Sequence, residues 1–346
     1  MMRICSSLTE AGFDVLLIGR KSKSSQELQE KNYRQKRTYC FFNKGKLFYI
    51  EYQIRLFFIL LFTKTDIYCA IDTDTLLANT FVSIIKSRKL AFDAHEYFTE
   101  VPELTNRKWS KMMWGLVEKI CLPQTQLRYT VSQSLADIFS TIFNKPFHVI
   151  RNVPSENINK IAIKPNDVFT LIYQGDLNEG RGIDIVLNAI VDLPVQLIVA
   201  GDGPLRNEIE LLIKQLNITD KVNMLGYVSP DELRDITSNA HVGLNLLENK
   251  GLSYYYSLSN KFFNYIQAGI PQICANFPEY QLINQQYKVA LLCDYDVSQV
   301  KESIGILMNN THLYNDIKNS CSNASAVFTW QHEEQQLIQL YRELSA

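Results

Sequence analysis

The sequence predicts an α/β protein built from two parallel-sheet domains. Three observations predict it. Short apolar runs alternate with helix-compatible stretches along most of the chain. Gly, Pro, Asn and Asp punctuate them where turns are needed. A polar stretch, residues 152–166, holds Pro154 and Pro165 with no apolar period and divides the alternation as a linker. At 346 residues the chain is long enough for two domains of ordinary size. The expected boundaries are 1–155 and 166–325, with a helical tail at 326–346.

A hydrophobic fraction of 46% and a charged fraction of 21% describe a globular chain and exclude disordered and fibrous classes. Net charge is −1 but unevenly placed. Residues 1–155 hold 22 Lys and Arg against 14 Asp and Glu; residues 156–346 hold 13 against 22. A basic half suggests an anionic partner: a membrane surface, a phosphorylated lipid or a nucleotide. The alternative is attraction between the halves. The seven cysteines are dispersed with no C-x-x-C pair, which reads as free thiols in a reducing cytosol. No signal-peptide pattern opens the chain. The most apolar run, Leu56–Phe62, is too short to span a bilayer.

Met1 to Gly12 reads as a helix and Phe13–Gly19 as a buried strand. A parallel αβ layer ordinarily starts with a strand, and none precedes this helix. Residues 20–37 (RKSKSSQELQEKNYRQKR) have no apolar stripe and read as a solvated loop. Residues 39–42 and 47–49 look like short strands. Tyr49–Phe62 is an aromatic and aliphatic helix that either packs in the core or lies on a membrane surface. Strands follow at 66–71, 90–93, 127–131 and 147–150, with helices at 76–87, 109–121 and 132–143. Beyond the linker, strands are expected at 169–173, 195–200, 222–225, 241–247, 272–275 and 289–293. Helices are expected at 183–191, 205–216, 230–238, 261–268 and 299–309, with two more in the tail, the last at 331–344. Parallel sheets with crossover helices place ligands at strand C-terminal ends, facing a cleft between the domains.

One stretch organises the candidate chemistry. Ser257-Leu-Ser259-Asn260-Lys261 is a polar loop entering a helix that Gly269 and Pro271 stop. A helix start presents unpaired N–H groups and the positive dipole end, suited to a diphosphate. Lys261 in the first turn opposes that dipole unless an anion sits between them; otherwise it is an ordinary surface lysine. Gly175-Asp-Leu-Asn-Glu-Gly-Arg181-Gly182 is a second candidate, with glycines for close backbone approach and Arg181 to fork onto phosphate oxygens. It is neither a Walker loop nor G-x-G-x-x-G. The loop 226–230, with Tyr227, could read a base edge through its backbone. His95, just after a strand and beside Asp93 and Glu96, is a candidate acid/base group or donor. Asp72 and Asp74 share that edge and either bind an acceptor hydroxyl or close an Asx turn. No cluster has metal-ligand spacing and no G-x-S-x-G elbow is present.

Taken together, these stretches resemble glycosyltransferase family 4, the retaining nucleotide-sugar transferases of GT-B fold. The resemblance runs from Arg3 to the end. RICSSLTEAGFDVLLIGR and DAHEYFTEVPEL (93–104) carry it first. GDLNEGRG (175–182), AGDGPLRNEIE (200–210), LGYVSPDEL (225–233) and SNKFFNYIQAGIP (259–271) follow in order. It implies two Rossmann-like domains, with the last helix and Trp330 crossing back onto the first. Arg181 and Lys261 would hold the donor diphosphate, Gly175, Ser259 and Asn260 would belong to the phosphate loops, and Tyr227 would lie at the base. His95 would lie near the transferred sugar.

The chain departs from the family's pattern in three places. Asp176 stands where an arginine usually follows the loop glycine. The two acids that bracket the sugar fall on Tyr256 and Asn264, unless an insertion at 252–259 makes Glu248 the first of them. The first strand is missing, so Met1 is expected to mark a truncated product or a misplaced start.

The expected activity is transfer of a sugar, with retention, from a nucleoside diphosphate-sugar to a lipid-linked or surface-glycan acceptor. No cofactor, metal or nucleic acid is expected. The expected location is cytoplasmic, peripheral at an anionic membrane. The alternatives are an impaired relative that binds a nucleotide or partner, and a nucleotide-sugar epimerase.

Overall fold

The computed structural model describes residues 1–22, 25, 27–105, 107–156 and 168–346. It comprises two compact units, Met1–Arg151 with His332–Ala346, and Asn152–Gln331. Most of the linker read from sequence lies outside the described residues.

In the first unit the order is α1 (Met2–Glu10), β1 (Leu16–Lys21), β2 (Arg34–Tyr39), α2 (Gly45–Leu61), β3 (Ile67–Ile71) and α3 (Thr73–Ile85). Then come β4 (Lys89–Ala94), α4 (Pro102–Thr105), α5 (Lys108–Cys121), β5 (Leu127–Thr130), α6 (Gln133–Phe143) and β6 (His148–Val149). All pairings are parallel, but they form two sheets, β1-β2 and β3-β4-β5-β6. In α1, Ile4, Cys5 and Leu8 lie on one buried face. The start of α6 is held by Ser132, whose hydroxyl accepts from the Leu135 N–H, and its end by Asn144 in the left-handed region.

Two local expectations are corrected here. The stretch 20–37 is not loop throughout: Arg34–Tyr39 pairs with β1. The strands expected at 39–42 and 47–49 do not form, because Gly45 opens α2. Aromatic β-propensity there yields to a largely apolar helix that buries Tyr52, Leu56 and Leu60.

In the second unit the alternation is regular. It runs β7 (Thr170–Gln174), α7 (Ile183–Ala189), β8 (Gln196–Ala200), α8 (Arg206–Gln215), β9 (Val222–Gly226), α9 (Pro230–Ser238) and β10 (Val242–Asn245). It continues with α10 (Leu252–Tyr255), α11 (Asn260–Ala268), β11 (Gln272–Ala275), α12 (Pro278–Tyr287), β12 (Ala290–Cys293), α13 (Val297–Asn309) and α14 (Thr311–Ser325). The six strands form one parallel sheet in the order β12-β11-β10-β7-β8-β9. All of β7, β10 and β11 is buried, as expected for strands covered on both faces. A capping box, Ser229 with Glu232, and Pro230 at the first position start α9.

The last helix, α15 (Trp330–Ser345), belongs to the first unit from His332 on. Leu337, Leu340, Tyr341 and Leu344 are buried. The Tyr341 hydroxyl is 3.2 Å from that of Tyr129, Ser7 donates to Glu334 at 2.6 Å, and the Arg151 N–H donates to Glu333 at 2.9 Å. All seven cysteines are free, and all but Cys69 are buried. Among the described residues no helix is long and apolar enough to cross a membrane.

Candidate active site

The loops after β7, β8 and β10 meet through backbone. Gly175 N–H donates to the Ala200 carbonyl, Leu177 N–H to the Asp202 carbonyl, and Glu248 N–H to the Gly180 carbonyl at 2.9 Å. A Cβ on Gly201 would stand 1.9 Å from the Gly175 carbonyl oxygen, so the first two loops approach as only glycine permits. Gly182 takes φ +78° directly before α7, and a Cβ there would strike the Leu246 side chain at 2.5 Å.

Two cations converge on this edge. Lys261 lies in the first turn of α11, and its ammonium is 4.4 Å from the centre of the Tyr173 ring. Arg181 places its guanidinium carbon 5.2 Å from the centre of the Tyr254 ring. The buried Arg181 Nε has no hydrogen-bond partner. Burial first, and the Arg181 charge second, pull the Lys261 pKa down to about 7. Glu179 and Glu248 pair with Lys250, and Asp202 and Glu210 with Arg206, while the Asp176 charge acts on Lys261 without forming an ion pair. Among the described residues neither Arg181 nor Lys261 forms an ion pair. The start of α11 has no side-chain cap, because the Ser259 hydroxyl donates to Asn245 Oδ1 at 2.8 Å instead. Two cations outside any ion pair, beside an uncapped helix start, suit a doubly charged anion.

The other sequence candidates fall around this pair. Asn264, three residues beyond Lys261, shares its side of the helix. Glu248 stands beside Gly180, whose added Cβ would lie 3.3 Å from the Glu248 Cβ. Tyr256 packs against Tyr255, ring centres 5.0 Å apart. The segment between these alternative acid positions holds the short helix α10. Asp176 is exposed, and its carbonyl accepts from the Tyr173 hydroxyl at 2.8 Å. Tyr227, after β9, is 83% exposed. The sequence reading missed Tyr173 and Tyr254, the rings beneath the two cations, and Lys250, which holds Glu248. An aromatic residue ending β7 just ahead of a glycine loop was the available signal for Tyr173.

In the first unit a second group sits at the ends of β3 and β4. His95 Nε2 is 3.1 Å from Asp93 Oδ2, and its backbone N–H donates to Asp72 Oδ1 at 2.7 Å. Asp72 has φ +54° and ψ 171°, a conformation essentially reserved for glycine, and its N–H is held by the Asp93 carbonyl. Burial, opposed by the His95 charge, raises the Asp72 pKa to about 7. Burial and then Glu96 raise that of Asp74 to about 6. For His95, burial pushes the pKa down, but the hydrogen bond and charge of Asp93, with Asp72, outweigh it and the net direction is up. Glu118, which accepts from the Thr73 hydroxyl at 2.7 Å, is raised by burial to about 7 and had no sequence signal. Among the described residues no group of three His, Cys, Asp or Glu could hold a metal.

The chain is similar in sequence and fold to several known proteins. A subunit of phosphatidylinositol N-acetylglucosaminyltransferase (gpi3) from Schizosaccharomyces pombe is 27% identical over 149 residues, covering 41% of this chain and 31% of that protein. The chain therefore spans about a third of that relative. A sucrose-phosphate synthase from Thermosynechococcus elongatus has TM-score 0.76 at 17% identity, covering 99% of this chain and 92% of the other. Anabaena HepE, solved in complex with UDP, has TM-score 0.69 at 14% identity over 90% and 87%. The fold is GT-B. Residues 154–323 match the family described as "Glycosyl transferases group 1", and the second unit carries a domain of that family.

Proposed function

We propose that the chain is a retaining glycosyltransferase moving a sugar from a nucleoside diphosphate-sugar to a lipid-linked or growing surface-glycan acceptor. One observation carries the reading: Arg181 and Lys261 stand without carboxylate partners at the uncapped start of α11. Negative charge on the leaving diphosphate rises as the glycosidic bond breaks. Preorganised cations and N–H groups then stabilise the transition state more than the ground state. His95, oriented by Asp93, is assigned to a hydroxyl of the transferred sugar, with Asn264 and Glu248 as further hydroxyl partners. Asp72 and Asp74 are the acceptor-side candidates.

The lipid-linked acceptor has its own support. On α2, Leu47, Ile50, Ile54 and Phe58 form an exposed stripe, and on α5 Trp109, Met112 and Leu116 form another. Soluble surfaces rarely expose so much contiguous apolar area. With the basic excess of residues 1–155, these stripes suit a peripheral seat on an anionic bilayer. Flotation with vesicles rich in phosphatidylglycerol, but not with pure phosphatidylcholine vesicles, is the expected result.

The test of the activity is radiolabelled UDP- and GDP-sugars incubated with a membrane extract. Labelled lipid or glycan supports the reading. Nucleotide binding without transfer points to an impaired relative, which Asp176 and Asn264 would explain. Conversion of the donor with no acceptor present points to an epimerase.

A further inference from the structure

We propose that the gap between β1 and β3 is a strand-binding slot whose occupant is one extended, apolar polypeptide segment pairing along both edges. The first unit holds two parallel sheets where one would be expected. Their facing edges line a single cavity of about 320 Å³, with Leu16 and Ile18 on one side and Ile67, Cys69 and Ile71 on the other. Ile4 and Leu8 of α1 and Leu56 and Leu60 of α2 also line it.

Backbone direction agrees. The Val15 carbonyl accepts from Arg34 N–H, so strand alternation turns the N–H and C=O groups of Leu16 and Ile18 away from β2, toward the cavity. The Asp66 carbonyl accepts from Lys89 N–H and the Asp72 N–H donates to the Asp93 carbonyl, which turns Ile67, Cys69 and Ile71 away from β4 in the same way. Side-chain hydroxyls cover the two ends of that edge. Thr75 accepts the Ile71 N–H at 2.8 Å, and Thr65 donates to the Ile67 carbonyl at 3.1 Å. Between them, on the side away from β4, no strand among the described residues pairs with Cys69.

The second unit supplies an internal standard. Its sheet reads β9-β8-β7-β10-β11-β12, with the fully buried β7 in the middle. The first unit reads β2-β1, slot, β3-β4-β5-β6, the same succession with the place of β7 open and one more strand at the far end. The strands beside the slot show the difference: β1 is half-buried or exposed throughout, and Ile67, Cys69 and Ile71 are half-buried. A segment entering there meets apolar side chains from α1 and α2, so it must be apolar on both faces; a charged residue would lose its hydration without a partner. Main-chain pairing gives affinity and the side-chain pockets give selectivity, as in other strand additions.

The probe is a fluorescein-labelled, lysine-flanked synthetic peptide carrying the β7 sequence TLIYQ, added to the full chain. Saturable binding is expected, with slowed amide exchange at Leu16, Ile18 and Cys69. The same peptide N-methylated at alternate residues should bind at least about tenfold more weakly, since it cannot complete the ladder on the edge its methyl groups face. Cys5→Trp, which fills the slot from α1, should abolish binding while the melting profile shows a folded protein. If that variant does not fold, the N-methylated peptide decides alone. Absence of saturable binding, equal binding of the N-methylated peptide, or unchanged exchange at those three amides overturns the proposal. Nucleotide binding is not among the readouts, so this test and that of the transferase reading fail separately.

Discussion

In the second unit β7 has a neighbour on each side and every residue buried; in the first unit β1 and β3 flank a cavity and expose part of each strand. The difference separates two jobs. A fully paired sheet holds the loops after β7, β8 and β10 close enough for Gly175 and Gly201 to touch, and that rigidity keeps Arg181 and Lys261 in place with no ion pair among the described residues. The divided sheet has less to lose from a local change, because its apolar groups are already half in water.

The sharpest way to break this comparison is a matched pair of truncations. Ile172→Ala in β7 should cost about 2–5 kcal/mol in denaturant unfolding, because Ile172 is wholly buried. Ile18→Ala in β1 should cost about 1 kcal/mol or less, since the slot already leaves that side chain half-exposed. Equal costs would refute the contrast.

Next in size is Arg181→Ala with Lys261→Ala. Loss of two charge-assisted contacts should weaken UDP and GDP binding by about 100-fold or more in calorimetry. Unchanged affinity would remove the basis of the proposed activity.

Two pH effects of opposite sign follow in size. Lys261 has its folded pKa lowered to about 7. Above that pH the folded protein holds one proton fewer at this site than the unfolded chain, so its contribution to stability improves as pH rises from about 7 toward the ordinary lysine value. Nucleotide affinity should move the other way, falling by up to about tenfold per pH unit above 7, and Lys261→Arg should flatten that slope. In the first unit Asp72, near 7, and Asp74, near 6, have folded values above their unfolded ones. Their contribution is complete below about pH 4 and is lost as pH rises through 6 to 7. Asp72→Asn should flatten that decline in melts run from pH 4 to 8. The smallest effect is Tyr227→Ala, within about 0.5 kcal/mol in stability, since the residue is mostly exposed.

Legibility in the sequence follows the same divide. The second unit could be read almost strand by strand, because strands buried on both faces are continuous apolar runs. In the first unit β2 (Arg34–Tyr39) escaped, since its residues are largely exposed and basic, and β1 beside it is what makes it a strand. The aromatic stretch near Phe41 and Phe48 suggested strands, where Gly45 in fact begins α2. Arg181, Lys261, His95 and Asp72 were legible as types at strand and helix ends. Tyr173, Tyr254 and Glu118 were not: what gives them meaning is a tertiary neighbour, a cation over a ring or a hydroxyl in an apolar layer, and no local spacing records it.

The lysine above the Tyr173 ring has a chemical corollary. Free amine, not ammonium, attacks electrophiles, and at neutral pH an ordinary surface lysine presents well under one part in a thousand in that form. Lys261, near the midpoint of its titration, presents a large share. Brief cyanate treatment at pH 7 should therefore carbamylate this side chain ahead of the ordinary surface lysines, and a peptide map would read its occupancy directly.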